Sequence, residues 1–341
     1  MQQNICFYDV THPPFSIHGL HHPNTEGRFC RVPCEVAAAT SERVAIRAAQ
    51  PSGGRVRFST NSGKLLLHVV TGRTEQEFHV SPLLESGIDV YLDTTRGPRF
   101  LGATRPDFAQ REDYVFELAL PEGEKQLTLF LPVYGELKHL EIGLERNATL
   151  GAHTPYTYTK PILFYGSSIT QGCAASRAGK TYPALLSQRF DLDFINLGFS
   201  GSCRGEQVIV DYMATLDFSA FVCDFDHNRS SAQKLEESHY NVYETIRKKH
   251  PDVPFYMISR PDFRWNKMDF DRRAVIMESY LRARETGDRN VYFIDGSAFF
   301  ATPDLLNCTV DTGHPTDVGF QYMADAIGAV LENTLPFDEM K

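Results

Sequence analysis

The sequence predicts an α/β protein in two parts, an antiparallel β-sandwich followed by a parallel sheet with helices on both faces. Three observations carry this expectation. From about Val44 to Leu144, short apolar or alternating runs are separated by turn residues. After Lys160 the rhythm changes to apolar strands alternating with amphipathic helical stretches. Between the two, 145-ERNATLGAHTPYTYTK-160 is polar and rich in small residues, a joint that divides the chain into 1–150 and 151–341.

Taken in order, the runs VAIRAA, RVRFSTN, KLLLHVV, EFHVS, IDVYLDT, YVFELAL and KQLTLFLP read as strands. The turn signals PSGG, NSGK, TRGP and PEGE punctuate them. No helical period lies between them, which leads to the sandwich. In the second part, strands are expected at 161–166 (PILFYG), 193–198 (DFINLG), 220–226 (AFVCDFD), 254–259 (PFYMIS) and 291–296 (VYFIDG). Helices are expected around Tyr182–Phe190, Glu206–Leu216, Lys234–Lys249, Asp271–Arg284 and Val318–Asn333. The strands are apolar along their whole length because helices cover both faces of such a sheet.

Bulk properties narrow the function. A chain of 341 residues is long enough for two domains with sizeable cores, and 42% hydrophobic with 23% charged residues is ordinary globular composition. A net charge of -9 speaks against nucleic acid or an anionic membrane as partner, and no apolar window is long enough to span a bilayer. The first residues, MQQNICFYDVTHPPF, show no basic stretch followed by an apolar one, and the seven cysteines are scattered. A reduced, cytoplasmic setting is therefore expected. Cys30 and Cys34 follow His18, His21 and His22, all zinc-type ligands, but their spacing fits no zinc template. No metal or organic cofactor is expected.

In a parallel sheet, sites form beyond the C-terminal strand ends, so the residues there are expected to meet in one crevice. The first strand runs into 163-LFYGSSITQG-172, a Gly-Ser-Ser turn suited to presenting a nucleophile. A phosphate-binding reading fails because Gly172 lies too far before Gly179-Lys180-Thr181, and no G-x-G-x-x-G follows the first strand. The second strand ends in 196-NLGFSGSCRG-205, whose glycines leave backbone N–H groups bare. The third ends in 224-DFDHNR-229, where the amide of Asn228 could donate to a developing negative oxygen; His227 competes there as a base but lacks an orienting carboxylate-proline arrangement. Near the end, 311-DTGHPTDVGF-320 sets Asp311 three residues before His314, a spacing that lets a carboxylate orient an imidazole.

These blocks, in this order over 161–341, resemble the SGNH (GDSL-type) hydrolase superfamily. The resemblance implies a three-layer α/β/α, flavodoxin-like domain with a five-stranded parallel sheet. It makes Ser168 the nucleophile, His314 the base and Asp311 its orienter. It places the backbone N–H groups of Ser168 and Gly201 and the side chain of Asn228 in an oxyanion hole. Two departures stand out: Ser167 occupies a position where the family usually has Asp, and the usual G-x-N-D block reads D-H-N-R. In the first part, 87-GIDVY-91 resembles the G-x-D-L-Y motif of an N-terminal β-sandwich joined to such hydrolases. The layout is similar to two-domain carbohydrate esterases that carry a jelly roll before the hydrolase domain.

The expected function is hydrolysis of a short-chain ester, an acetyl group on a small or oligosaccharide substrate, through an acyl-enzyme. An acyltransferase with the same triad and a non-catalytic carbohydrate-binding protein on a decayed scaffold are the rivals. The loop 259-SRPDFRWNKMDF-270 should overhang the crevice, so Arg260, Phe263 and Trp265 are candidates to line the substrate or, equally, to pin the loop. Association into a homo-oligomer is left open.

Overall fold

The computed structural model describes residues 4–74, 77–107, 111–261, 266–303, 305–337 and 340. Among these residues the N-terminal part forms strands β1 (Ile5–Asp9), β2 (Ser16–His18), β3 (Arg55–Thr60), β4 (Lys64–Thr71), β5 (Asp89–Asp93), β6 (Arg99–Ala103), β7 (Asp113–Ala119), β8 (Lys125–Phe130), β9 (Leu137–Glu145) and β10 (Leu150–Gly151). They build two antiparallel sheets, ordered β1-β9-β4-β7 and β10-β3-β8-β5-β6, with β2 beside β3. Leu65, Leu67 and Val69 from the first sheet interleave with Val56, Phe58, Leu127 and Leu129 from the second in one fully buried core. Their period of two is what turns every second side chain inward.

The C-terminal part contains β11 (Tyr158–Gly166), β12 (Leu192–Gly198), β13 (Ala220–Asp224), β14 (Phe255–Ile258) and β15 (Val291–Ile294), all parallel and ordered β12-β11-β13-β14-β15. Ile162 and Phe164 pack into one core while Leu163 and Tyr165 pack into another, so both faces of the sheet are covered. The winding reverses where β11 meets its two neighbours, the place where crevices open in such sheets. No helix among the described residues is long and apolar enough to cross a membrane.

Two expected strands are something else. VAIRAA lies in the helix Glu42–Ala48, started by the Ser41 side chain accepting from Val44 N at 3.2 Å. Val44 and Ala48, one helical turn apart, are buried against the parallel sheet, so helical spacing overrides the apolar run. EFHVS is a turn, closed by Val80 N donating to Glu77 O, before the short helix Pro82–Ser86 with proline in its first turn. Strand β9 was not anticipated: Leu140, Ile142 and Leu144 alternate inward, but Lys138 and Glu141 dilute the apolar signal.

The two parts are locked together by buried polar groups. The Arg55 guanidinium, from β3, pairs with Asp193 and donates from both terminal nitrogens to Phe194 O at 3.0 Å. Asp89, in 87-GIDVY-91, accepts from Arg177 Nη1 and from Gly179 N, both at 2.8 Å. Arg31, 1% exposed, donates to Asn196 O at 2.9 Å and Gly198 O at 2.6 Å, fixing the end of β12.

Candidate active site

The turn after β11 is built around close approach. A side chain at Gly166 would bring its Cβ within 2.0 Å of Thr170 Oγ1 and 2.3 Å of Asp224 O, so glycine alone lets the chain turn here. Ser167 then caps the short helix Ser168–Gln171, its hydroxyl accepting from Ile169 N at 3.3 Å. Ser168 is the first residue of that helix and 6% exposed. Below it, the Asp224 carboxyl accepts from Thr170 Oγ1 at 2.8 Å and Tyr182 Oη at 3.1 Å. Burial, reinforced by Asp226, pushes Asp224 up to about 8.

The loop before the last helix, Asp317–Thr334, brings Asp311 and His314 to the same crevice. Ser168 Oγ lies 2.9 Å from His314 Nε2, and His314 Nδ1 lies 2.7 Å from Asp311 Oδ2. The second carboxylate oxygen accepts from Gly313 N at 3.0 Å and His314 N at 2.7 Å. Against the upward push of partial burial, these bonds and the neighbouring imidazole hold Asp311 down at about 2. The carboxylate therefore stays charged and fixes the ring with its Nε2 toward the hydroxyl.

Gly201 sits in the loop after β12 with φ +67, a left-handed conformation that glycine adopts without strain. Its exposed backbone lies in a turn held by Ser202 N and Cys203 N, which both donate to Phe199 O. Cys203 N also donates to Asn228 Oδ1 at 3.1 Å, which commits the carbonyl end of that amide and leaves its NH₂ end as the donor. The three loops after β11, β12 and β13 are thus tied to one another. Thr170 and Asp224 join the first and third, and Cys203 and Asn228 join the second and third.

Sequence reasoning missed one residue of the site. His79, in the turn after β4, stacks on the His314 ring with centroids 4.6 Å apart and planes 12° from parallel. Its Nε2 lies 3.3 Å from Glu77 Oε2, and Glu77 in turn pairs with Arg47 at 2.5 Å. Burial, and next the charge of His314, lower the His79 pKa and favour its neutral form. No motif surrounds this histidine, so nothing short of the fold would have found it. His79, Cys173 and His314 bring ligand-type atoms within 4.8 Å of one another. Both nitrogens of His314 are already engaged, Nε2 with Ser168 and Nδ1 with Asp311, so this ring serves the hydrogen-bond chain.

Among the expected lining residues, Arg260 donates from Nη1 to Asp269 Oδ1 at 2.8 Å, and its side chain is 11% exposed. Of the two roles open to it, these contacts are those of pinning the loop. Phe263 and Trp265 lie outside the described residues. His227 Nε2 lies 3.3 Å from Asp226 Oδ1. The His18 and His21 rings approach Asp193 and Glu26 at 2.8 and 3.2 Å, and among the described residues neither ring joins Cys30 or Cys34 in a cluster of three or more ligand-type groups.

Comparison with known proteins places this geometry in a family. Residues 159–332 match the model of the GDSL-like Lipase/Acylhydrolase family, and residues 5–150 match that of the N-terminus of SGNH-hydrolase-type esterases, named for its GxDLY motif. A Bacteroides ovatus protein assigned as a GDSL-like lipase is 28% identical, with a TM-score of 0.87 over 99% of both chains. A salicylyl-acyltransferase from a tetracycline biosynthetic pathway is 20% identical, with a TM-score of 0.82 over 99% of this chain and 100% of that one. A family two carbohydrate esterase from Clostridium thermocellum, solved with cellohexaose, is 16% identical, with a TM-score of 0.63 over 84% of this chain and 94% of that one. No curated protein matches the sequence. With the C-terminal half of its length matched by that family and its N-terminal half by the companion domain, this chain belongs to the GDSL-like lipase/acylhydrolase family of esterase-type enzymes.

Proposed function

We propose that the protein is a serine esterase that removes a short acyl group, acetyl above all, from a carbohydrate. The observation that carries this reading is the continuous Ser168–His314–Asp311 hydrogen-bond chain, 2.9 and 2.7 Å long, assembled from opposite ends of the domain. Ser168 Oγ attacks the ester carbonyl while His314 Nε2 takes its proton. The tetrahedral oxyanion is held by the N–H groups of Ser168 and Gly201 and by the NH₂ of Asn228. His314 protonates the departing alcohol, then draws a proton from water as that water attacks the acyl-enzyme. Asp311 stabilises the imidazolium in both halves of the reaction.

The carbohydrate part of the reading is supported by the shared layout with carbohydrate esterases, and the short acyl chain by the lack of a large apolar lid segment in the sequence. The test has two stages. A fluorophosphonate should label the protein, and Ser168→Ala should abolish both labelling and hydrolysis of 4-nitrophenyl acetate; retained activity in that variant would overturn the nucleophile. Acetate release from acetylated xylo-, manno- and pectic oligosaccharides then identifies the substrate, and a preference for 4-nitrophenyl octanoate over acetate would contradict the short acyl group. Transfer to an alcohol shares every step up to the acyl-enzyme, and the whole-length likeness to an acyltransferase supports it as a second reading. Partitioning of the acyl group between water and an added acceptor separates the two.

A further inference from the structure

A cavity of about 550 Å³ lies between the N-terminal sheet and the catalytic domain. It is the size of a small-molecule site. Its walls come from β3, β5 and β8, from the joint at 153–156 and from the end of the helix Tyr182–Phe190, and they include none of the residues of the active site.

Its distinctive group is Arg57, on β3 and only 3% exposed. The guanidinium carbon lies over the Tyr156 ring, 3.6 Å from its centroid, and Nε donates to Thr128 Oγ1 at 3.2 Å. The ring covers one side of the guanidinium and Thr128 takes Nε, so the orientation is fixed. The two terminal nitrogens have no acceptor and no carboxylate partner among the described residues. The fork lines the cavity, and a carboxylate presented to it would form two parallel charge-assisted bonds.

The other charges of the wall are engaged. Asp93 accepts from His153 Nε2 at 2.8 Å and from Thr128 Oγ1, Asp191 accepts from Thr157 N at 3.0 Å, and Arg189 donates to Glu332 at 2.7 Å. These carboxylates would repel a compact, highly charged anion, yet each still offers lone pairs to a hydroxyl. A wall with one unpaired fork, several acceptors and neutral amides such as Gln188 suits a ligand with one carboxylate and many hydroxyls. We infer that this cavity is a second binding site, separate from the ester-cleaving centre, for a sugar acid whose carboxylate docks on Arg57.

Calorimetric titration of the full chain with D-galacturonate, with D-galactose and with inorganic phosphate tests this. Saturable binding is expected for galacturonate alone. Arg57→Gln should weaken it roughly tenfold or more, the contribution of a charged hydrogen-bonded pair. Thr95→Trp, on the exposed rim, should abolish binding by filling the mouth while leaving the melting profile unchanged, and it decides the matter should Arg57→Gln fail to fold. No saturable galacturonate binding, or binding unaltered in these variants, overturns the site. Equal binding of galactose overturns the role given to Arg57, and equal binding of phosphate overturns the preference for a hydroxylated acid.

Discussion

His79 reaches the His314 ring from the other half of the chain, and its contribution can be separated from its charge. Stacking at 4.6 Å restricts how the His314 ring can tilt, while burial favours the neutral form of the second ring, which would avoid a like charge beside the imidazolium of the proposed mechanism. His79→Ala should lower kcat on 4-nitrophenyl acetate roughly 2- to 10-fold, the worth of one aromatic pair, and His79→Phe should recover most of it. Equal rates in all three proteins would show that the ring merely fills space. Asp311 makes a sharper contrast. Because its carboxyl is held at about 2, its protonation cannot set the acid limb of a pH–rate profile measured above about pH 4. Asp311→Asn should cost roughly 10³- to 10⁴-fold in kcat at neutral pH, since the imidazole loses its orienting charge.

The loops at the strand ends act as one element, and the carboxyl beneath them gives it a pH signature. Asp224 is raised to about 8 by burial and by Asp226, whereas in the unfolded chain it titrates near the ordinary value of about 4. Between these limits the folded protein holds a proton that the unfolded chain has lost, so stability falls as pH rises through the window from about 4 to about 8. Asp224→Asn retains an acceptor for Thr170 and Tyr182 and removes the proton. Urea unfolding should therefore find it gaining on the parent protein steadily from pH 5 to pH 8, and parallel stability curves would contradict a raised Asp224. This element also marks how far the sequence was legible. The apolar run into Gly166-Ser167-Ser168, the glycines after β12, the asparagine after β13 and the Asp-x-x-His block were visible because each is local, a few residues at a strand end. The Thr170–Asp224 and Cys203–Asn228 ties were not, because the partners are far apart in sequence and ordinary in type. The same limit explains why VAIRAA read as a strand: its apolar run is compatible with either period until Ser41 is seen to cap it.

At the scale of the whole molecule, the sequence suggests two modules, while the packing joins them. One core contains Leu84, Tyr91, Phe130 and Val133 from the N-terminal part together with Ile162, Phe164 and Tyr182 from the catalytic part. The polar clamps follow the same seam. Ser52 Oγ donates at 2.6 Å to the carbonyl of Gln171, the last residue of the helix that opens with Ser168, and Arg31 holds the end of β12. The N-terminal domain thus supports the turns that form the site and also supplies His79. If this seam is structural rather than a loose contact, urea should unfold the protein in a single transition. Asp89→Ala tests it directly, because it strips the partner from Arg177 and from Gly179 N at a fully buried position. Removing one member of a buried pair costs about 3 kcal/mol or more, and that loss should move the entire transition, with esterase activity and tertiary structure disappearing together. Two separate transitions, with activity surviving the first, would mean that the catalytic domain stands without its companion.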